Sequence, residues 1–264
     1  MLKIIGVSLI GVAHKRRGEV LQDFFNVYIK GNLHIFDLLG NNEEIKGQFE
    51  GDDIAFVFVA DGAGSVKYGG DGAKYAVNYA INFVMNKDLV DKDPQGVLRE
   101  ILKNVLEGIE HRAKELSAGI EDLATTFMAL YVRSHECFSI SVGDGYIIID
   151  DNGELRLLNE PSKGEYFNET QFITSPEIME AVKDEVMEVR RSKCDAFVIT
   201  TDGLWPTIID GKPYEKFYRP IVDYLRVNNT DKAVDELFNL LKSAQEKYPS
   251  IYDDDLTIVV GAYE

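Results

Sequence analysis

Ile54-Ala55-Phe56-Val57-Phe58-Val59-Ala60 is an unbroken apolar run, and Asp61-Gly62-Ala63-Gly64 ends it. A run of this length, rich in β-branched and aromatic residues and closed by a turn signal, predicts a buried strand from Ile54 to Ala60. The same grammar recurs along the chain. Gln22-Asp23 precedes Phe24-Phe25, Gly143-Asp144-Gly145 follows Ser141-Val142, Asp202-Gly203 follows Ile199-Thr200-Thr201, and Asp253-Asp254-Asp255 precedes Leu256-Thr257-Ile258-Val259-Val260.

One Asp-Gly at a strand end is an ordinary turn. Several, each closing a buried strand, bring carboxylates together if the strands lie side by side. Like charges so packed repel unless something neutralises them. A pair of hard divalent cations does so, and oxygen donors without histidine or thiolate favour Mg²⁺ or Mn²⁺ over zinc. Two such cations about 4 Å apart make a hydrolysis site.

Outward from that run, further strands are expected at Lys3 to Val12, Phe24 to Ile29, Thr125 to Val132, Cys137 to Val142 and Tyr146 to Asp150. Asp151-Asn152-Gly153 reads as a hairpin turn into Glu154 to Leu158. Later strands are expected at Val186 to Arg190, Ala196 to Thr201 and Leu256 to Ala262. Helical spacing of apolar residues predicts helices over Ala73 to Met85, Pro94 to Leu116 and Lys232 to Lys247, the second capped by Asp93. Residues 30–53 are polar and Gly-rich, an inserted loop or hairpin. Runs of strands alternating with pairs of helices argue for antiparallel sheets covered by helices, not a βαβ repeat. No linker, repeat or low-complexity tract divides residues 1–264, so one domain is expected.

The 264 residues carry 28 basic and 45 acidic side chains, a net of −17, which repels phosphate backbones and argues against nucleic acid as a partner. Ile4 to Ala13 is too short to span a bilayer, and its basic cluster follows it, opposite to a secretory signal. A cytoplasmic protein is expected, not bound to a membrane. Cys137 and Cys194 fit no zinc or redox spacing and read as two buried thiols.

The ordered set Gln22-Asp23, Asp61-Gly62-Ala63-Gly64, Thr125-Thr126, Val142-Gly143-Asp144, Thr201-Asp202-Gly203 and Asp254-Asp255-Leu256-Thr257 resembles the metal-dependent serine/threonine protein phosphatases of the 2C type. Gly11-Val12-Ala13-His14 and Ala63-Gly64-Ser65 are similar to a bacterial branch of that family. The resemblance runs from Gly11 to Thr257. It implies an α+β, four-layer αββα sandwich, two packed antiparallel sheets flanked by helices, with a binuclear site of Mn²⁺ or Mg²⁺ at one end. It implies hydrolysis of phosphoserine and phosphothreonine in proteins by a metal-activated water, in prokaryotic signalling opposite a Ser/Thr kinase. No nucleophile motif suggests a covalent phosphoenzyme.

By the same resemblance, Asp61 bridges both metals, the Gly62 carbonyl joins one, and Asp202 and Asp254 complete the other. Asp23 sits at the site directly or through water, and Asp144 serves a third, weaker metal position. Asp254 is preferred to Asp255 as the ligand. There are departures. Gln22 replaces a glutamate, and Ala63 a histidine proposed as general acid. The family's phosphate-binding arginine falls on Gly18, so Arg16 or Arg17 would take that role, or else both belong to a solvated loop. Gln22 and the missing arginine also suit a pseudophosphatase that binds a phosphoprotein or kinase without turnover. Trp205 is expected to pack at a helix start, and residues 161–176 are where specificity is sought. Asp253-x-Asp255-x-Thr257 also fits an aspartyl phosphotransferase, but there the strand should precede the motif.

Overall fold

The computed structural model describes residues 1–30, 43–89, 92–159 and 170–264. Strand β1 (Leu2–Leu9) leads into a short helix α1 (Val12–Arg17), then β2 (Asp23–Ile29), β3 (Glu44–Gly51) and β4 (Ile54–Asp61). Helices α2 (Gly69–Met85) and α3 (Pro94–Leu116) follow, then β5 (Phe127–Arg133), β6 (Glu136–Val142), β7 (Tyr146–Asp151) and β8 (Glu154–Leu157). Next come α4 (Pro176–Lys183), β9 (Arg190–Lys193) and β10 (Ala196–Thr200). A 3-10 segment (Asp202–Thr207), a small hairpin of β11 (Ile208–Ile209) and β12 (Lys212–Pro213), helices α5 (Glu215–Val227) and α6 (Thr230–Lys247), and β13 (Leu256–Tyr263) complete the chain.

Two antiparallel sheets result. One runs β3-β1-β13-β10-β7-β8, the other β2-β4-β5-β6-β9. Side chains alternate across β1: Leu2 and Ile4 enter the seam between the sheets, while Ile5, Val7 and Leu9 meet α5 and α6. β1 is therefore buried on both faces, as its unbroken apolar run requires. Within the seam, the Phe25 ring lies against Gly6, where a Cβ would stand 2.5 Å from it. On the other flank, Ala73, Ala76, Val77 and Ala80 of α2 and the apolar stripe of α3 cover β2, β4 and β5. The layers are thus αββα.

Asp93 caps α3 as expected, accepting from the Gly96 N–H at 2.8 Å. Asn152 and Gly153 take positive φ, 53° and 89°, as a tight hairpin turn demands. Asp150 is buried at the head of that turn. Its carboxylate accepts from Gly153 N at 2.9 Å and from Arg219 and Arg226 of α5 at 2.6 and 2.9 Å. Burial raises its pKa, but the two guanidiniums outweigh that and leave it below the usual carboxylate value.

Several boundaries differ from expectation. β1 stops at Leu9, not Val12, because Gly11 abuts the main chain of Asp253 and Asp254, where a Cβ would stand 2.4 Å away. Helix α1 begins there. α2 starts at Gly69, four residues before Ala73, so Gly69, Gly70 and Gly72 form its first turn. The strand expected at Val186 to Arg190 is displaced to Arg190–Lys193, where it pairs with β6. The expected insertion at 30–53 lies partly outside the described residues; its later half is β3, an edge strand on β1. Cys137 and Cys194 are buried free thiols, as expected, and they are neighbours. Contact with Cys137 and burial both push the Cys194 thiol up. Among the described residues, no helix is long and apolar enough to cross a membrane.

Candidate metal centre

The register of β2 on β4 sets Asp23 directly opposite Asp61. Two threonines fix the Asp61 main chain. Its carbonyl accepts from Thr125 Oγ1 and Thr126 N, both at 2.8 Å, and its N–H donates to Thr126 Oγ1 at 2.9 Å. Gly62 then sits on the first turn of α2, where a Cβ would lie 2.3 Å from the Gly69 carbonyl. Only glycine lets the strand end and the helix start approach so closely.

Asp202 leaves the end of β10 and Asp254 stands just before β13, both on the other sheet. Asp144 lies on the turn that carries the chain from β6 to β7, that is, from one sheet to the other. Gly143 turns that corner with φ 113°, against Thr126. These elements converge on a cavity of about 180 Å³ lined by Asp61, Gly62, Asp144, Asp202 and Asp254, with His14, Gln22 and Thr126 beside them.

The carboxylates perturb one another. Burial, then Asp23, Asp202, Asp254 and Asp144, pushes Asp61 well above the usual carboxylate range. Burial, then Asp144 and Asp254, raises Asp202 to about 7. Burial raises Asp254, partly offset by the Asp255 N–H, which donates to it at 2.8 Å. Asp23 is also raised, by burial and then by Asp255, although it accepts from Thr201 Oγ1 at 2.7 Å. A protein without cations cannot keep all these groups charged. The Gln22 Oε1 atom is buried without a donor. Converging oxygens short of positive partners fit a pair of hard divalent cations.

The sequence model of a family described as Protein phosphatase 2C matches residues 41–242. Over 216 residues, the chain is 32% identical to serine/threonine-protein phosphatase 3 of Escherichia coli (strain K12), covering 78% of this chain and 83% of that protein. The chain belongs to the protein phosphatase 2C family. Membership places it among the metal-dependent protein serine/threonine phosphatases. Solved 2C-type structures share the fold. The serine/threonine phosphatase Stp1 from Staphylococcus aureus superposes with a TM-score of 0.63 at 15% identity, covering 100% of this chain and 96% of that one. The catalytic domain of the serine/threonine protein phosphatase PstP, in complex with two manganese ions, gives 0.62 at 15%, covering 99% of each.

The family match omits Asp23 and Asp254, of which the fold brings Asp254 into the cavity. Of the residues singled out in the sequence, Asp61, Gly62, Asp144, Asp202 and Asp254 meet in the cavity. Asp23 is buried behind it, held by Thr201, and is not among the lining residues. Arg16 and Arg17 are not brought in. Both are exposed, and Arg17 is paired twice with Glu19, at 2.7 and 2.8 Å. The six-residue α1 ends at Gly18 and leaves them in solvent. Trp205 is not packed but 60% exposed, because it lies on the outer side of the 3-10 segment. Most of 161–176 is outside the described residues, yet its Thr170 and Phe172 line the cavity, and Thr170 Oγ1 donates to Asp144.

From the sequence, His14 has no role in the site and Asp255 stands only as the alternative to Asp254. His14 is buried on α1 with Nδ1 2.8 Å from Asp255 Oδ1, and that hydrogen bond raises its pKa despite burial. The motif Gly11-Val12-Ala13-His14 was the available signal. Its spacing to the acidic residues, across more than 200 positions, was invisible without the pairing of β1 with β13.

Proposed function

We propose that the chain hydrolyses phosphoserine and phosphothreonine in proteins, at a binuclear site for Mn²⁺ or Mg²⁺. The observation that carries this reading is the convergence of Asp61, Asp202 and Asp254, from two sheets, on one cavity with their pKa values raised. Asp61 and the Gly62 carbonyl would hold one cation, and Asp61, Asp202 and Asp254 the other. Asp144 would serve a third, weaker position. When bound, the cations polarise phosphoryl oxygens and lower the pKa of an attacking water.

The chain's own residues position and enclose. Thr125 and Thr126 fix Asp61 at the rim. Asp255 ties α1 to β13 through its bonds to Gly11 N and His14. Asp23 sits behind, orienting groups through hydrogen bonds rather than lining the cavity. Ala63 offers no proton, so the leaving group takes its proton from elsewhere in the site.

The same reading makes residues 1–264 one phosphatase domain, acting in the cytoplasm in prokaryotic signalling opposite a serine/threonine kinase. The bacterial relatives and the lack of a membrane-crossing helix among the described residues support it. One observation favours a second reading, a pseudophosphatase that binds a phosphoprotein without turnover: among the described residues, no arginine lines the cavity. Phosphate release from a phosphothreonine peptide decides, measured with Mn²⁺, with Mg²⁺ and with EDTA. Turnover needs metal and is lost in Asp61→Asn and Asp202→Asn. A folded protein inert with every metal supports the binding module instead.

A further inference from the structure

The expectation of oxygen-only donors meets an exception at His14. Asp255 is fully engaged behind it. Its Oδ1 accepts from the Gly11 N–H at 2.6 Å and meets His14 Nδ1 at 2.8 Å, while its Oδ2 accepts from the Gln22 N–H at 2.7 Å. A carboxylate so placed accepts only, so the ring proton is held on Nδ1. Nε2 is then the nitrogen on the cavity side, 3.6 Å from Asp254 Oδ1.

That separation resembles a pair of donors around one cation. Donors each about 2.1 Å from a cation stand about 3.0 Å apart at a right angle and about 3.4 Å apart at the tetrahedral angle. The observed gap of 3.6 Å is a few tenths wider; the Asp254 side chain is 54% exposed, and its Oδ1 also accepts from the Asp255 N–H at 2.8 Å, so closing the gap takes a small rotation about that bond. A histidine that gives Nδ1–H to a carboxylate and Nε2 to a metal is a recurrent arrangement in metalloproteins. Glu19 Oε2 is 3.8 Å from Nε2, but both its oxygens are held by Arg17.

We propose that His14 Nε2 is a metal ligand, sharing one cation with Asp254, and that Asp255 is the carboxylate that orients the ring. This rests on the reading of Asp254 as a metal ligand. A nitrogen donor favours Mn²⁺ and other transition metals over Mg²⁺, so His14 biases the site's choice of metal.

The test uses the full chain loaded with Mn²⁺. Pulsed electron paramagnetic resonance reads ¹⁴N coupling to the ion, and calorimetry reads Mn²⁺ and Mg²⁺ affinities. The expected result is a histidine nitrogen coupling that switches isotope in protein grown with ¹⁵N-histidine and is absent from His14→Gln. In that variant Mn²⁺ binding weakens about tenfold or more, and Mg²⁺ binding changes less than about threefold. If His14→Gln does not fold, the labelled wild type and Asp254→Asn decide, the coupling being present in the first and lost in the second. Mn²⁺ bound in an Asp61-dependent manner without histidine coupling overturns this proposal and leaves the phosphatase reading standing. So does a His14→Gln protein with unchanged metal affinity and a raised KM for a phosphate ester, which makes the residue a phosphate contact. Absence of any Asp61-dependent metal binding sinks both.

Discussion

Replacing Asp202 with asparagine should stabilise the protein when metal is withheld, and more so as pH rises. Asp202 is raised from an ordinary 3.8 to about 7. The folded state therefore binds its proton more tightly than the unfolded state does. Stability from this group is fully present below pH 3.8 and falls as pH rises to about 7. At about 1.4 kcal/mol per unit, the loss is about 2 kcal/mol at pH 5.5 and about 4 kcal/mol at pH 7.5. The neutral amide of the variant carries no such cost. Thermal unfolding in EDTA reads the difference, with about 2–4 °C expected per kcal/mol in a chain of this size. Asp202→Asn should melt at least about 5 °C above wild type at pH 7.5, with a smaller gap at pH 5.5. Adding Mn²⁺ should reverse the order, because only wild type gains full binding energy. If Asp202→Asn melts below wild type in EDTA at pH 7.5, burial and the neighbouring carboxylates do not burden the charged form of Asp202, and the reasoning fails.

Three further outcomes are expected. Gly62→Ala places a methyl group on the Gly69 carbonyl and should cost about 1–3 kcal/mol in denaturant titration, with phosphatase activity lost even where the protein folds. Phe25→Ala empties the seam beside Gly6 and should cost about 3–5 kcal/mol by the same titration. Asp150→Asn should cost about 3 kcal/mol near neutral pH, since two arginines lose their partner. Because Asp150 is held below its usual pKa, its contribution is present at neutral pH and lost as pH falls through the lowered value. Urea unfolding at pH 3 and pH 7 should show the penalty shrinking in acid.

The buried strands were legible because both faces of each are covered, which leaves long apolar runs such as Ile54 to Ala60. The acidic residues that meet in the cavity were legible because each stands at an end of such a run, Asp254 before its run and Asp61, Asp144 and Asp202 after theirs. What escaped was set by pairing between distant segments. Leu9 is the last residue of β1 because Gly11 must fit against Asp253 and Asp254, a constraint no local pattern records. The start of α2 was hidden by Gly69, Gly70 and Gly72, poor helix formers; the Ala63 main chain presses on Gly69 and the Leu123 carbonyl on Gly72, while Gln22 lies against Gly70. Arg16 and Arg17 look like phosphate binders in the sequence, but a helix of one and a half turns points them outward. Asp255 and Asp254 differ by one position and have opposite tasks, one sealed into main-chain bonds and the other facing the cavity. Only the burial of one and the exposure of the other separates them.

The two sheets are joined by main chain at both ends. At the end far from the cavity, Asp52 and Asp53 link β3 to β4, and Cys194 and Asp195 link β9 to β10. At the cavity end the straps are residues 10–22, from β1 to β2, and Gly143-Asp144-Gly145, from β6 to β7. Asp61 belongs to one leaf, Asp202 and Asp254 to the other, so any ion they share is a rivet through both. Chelation withdraws the rivet and leaves the far hinge intact. Amide exchange should then quicken at Thr126, Thr201 and Thr257 while Ala55 and Ala196 stay slow, the leaves parting from the cavity inward.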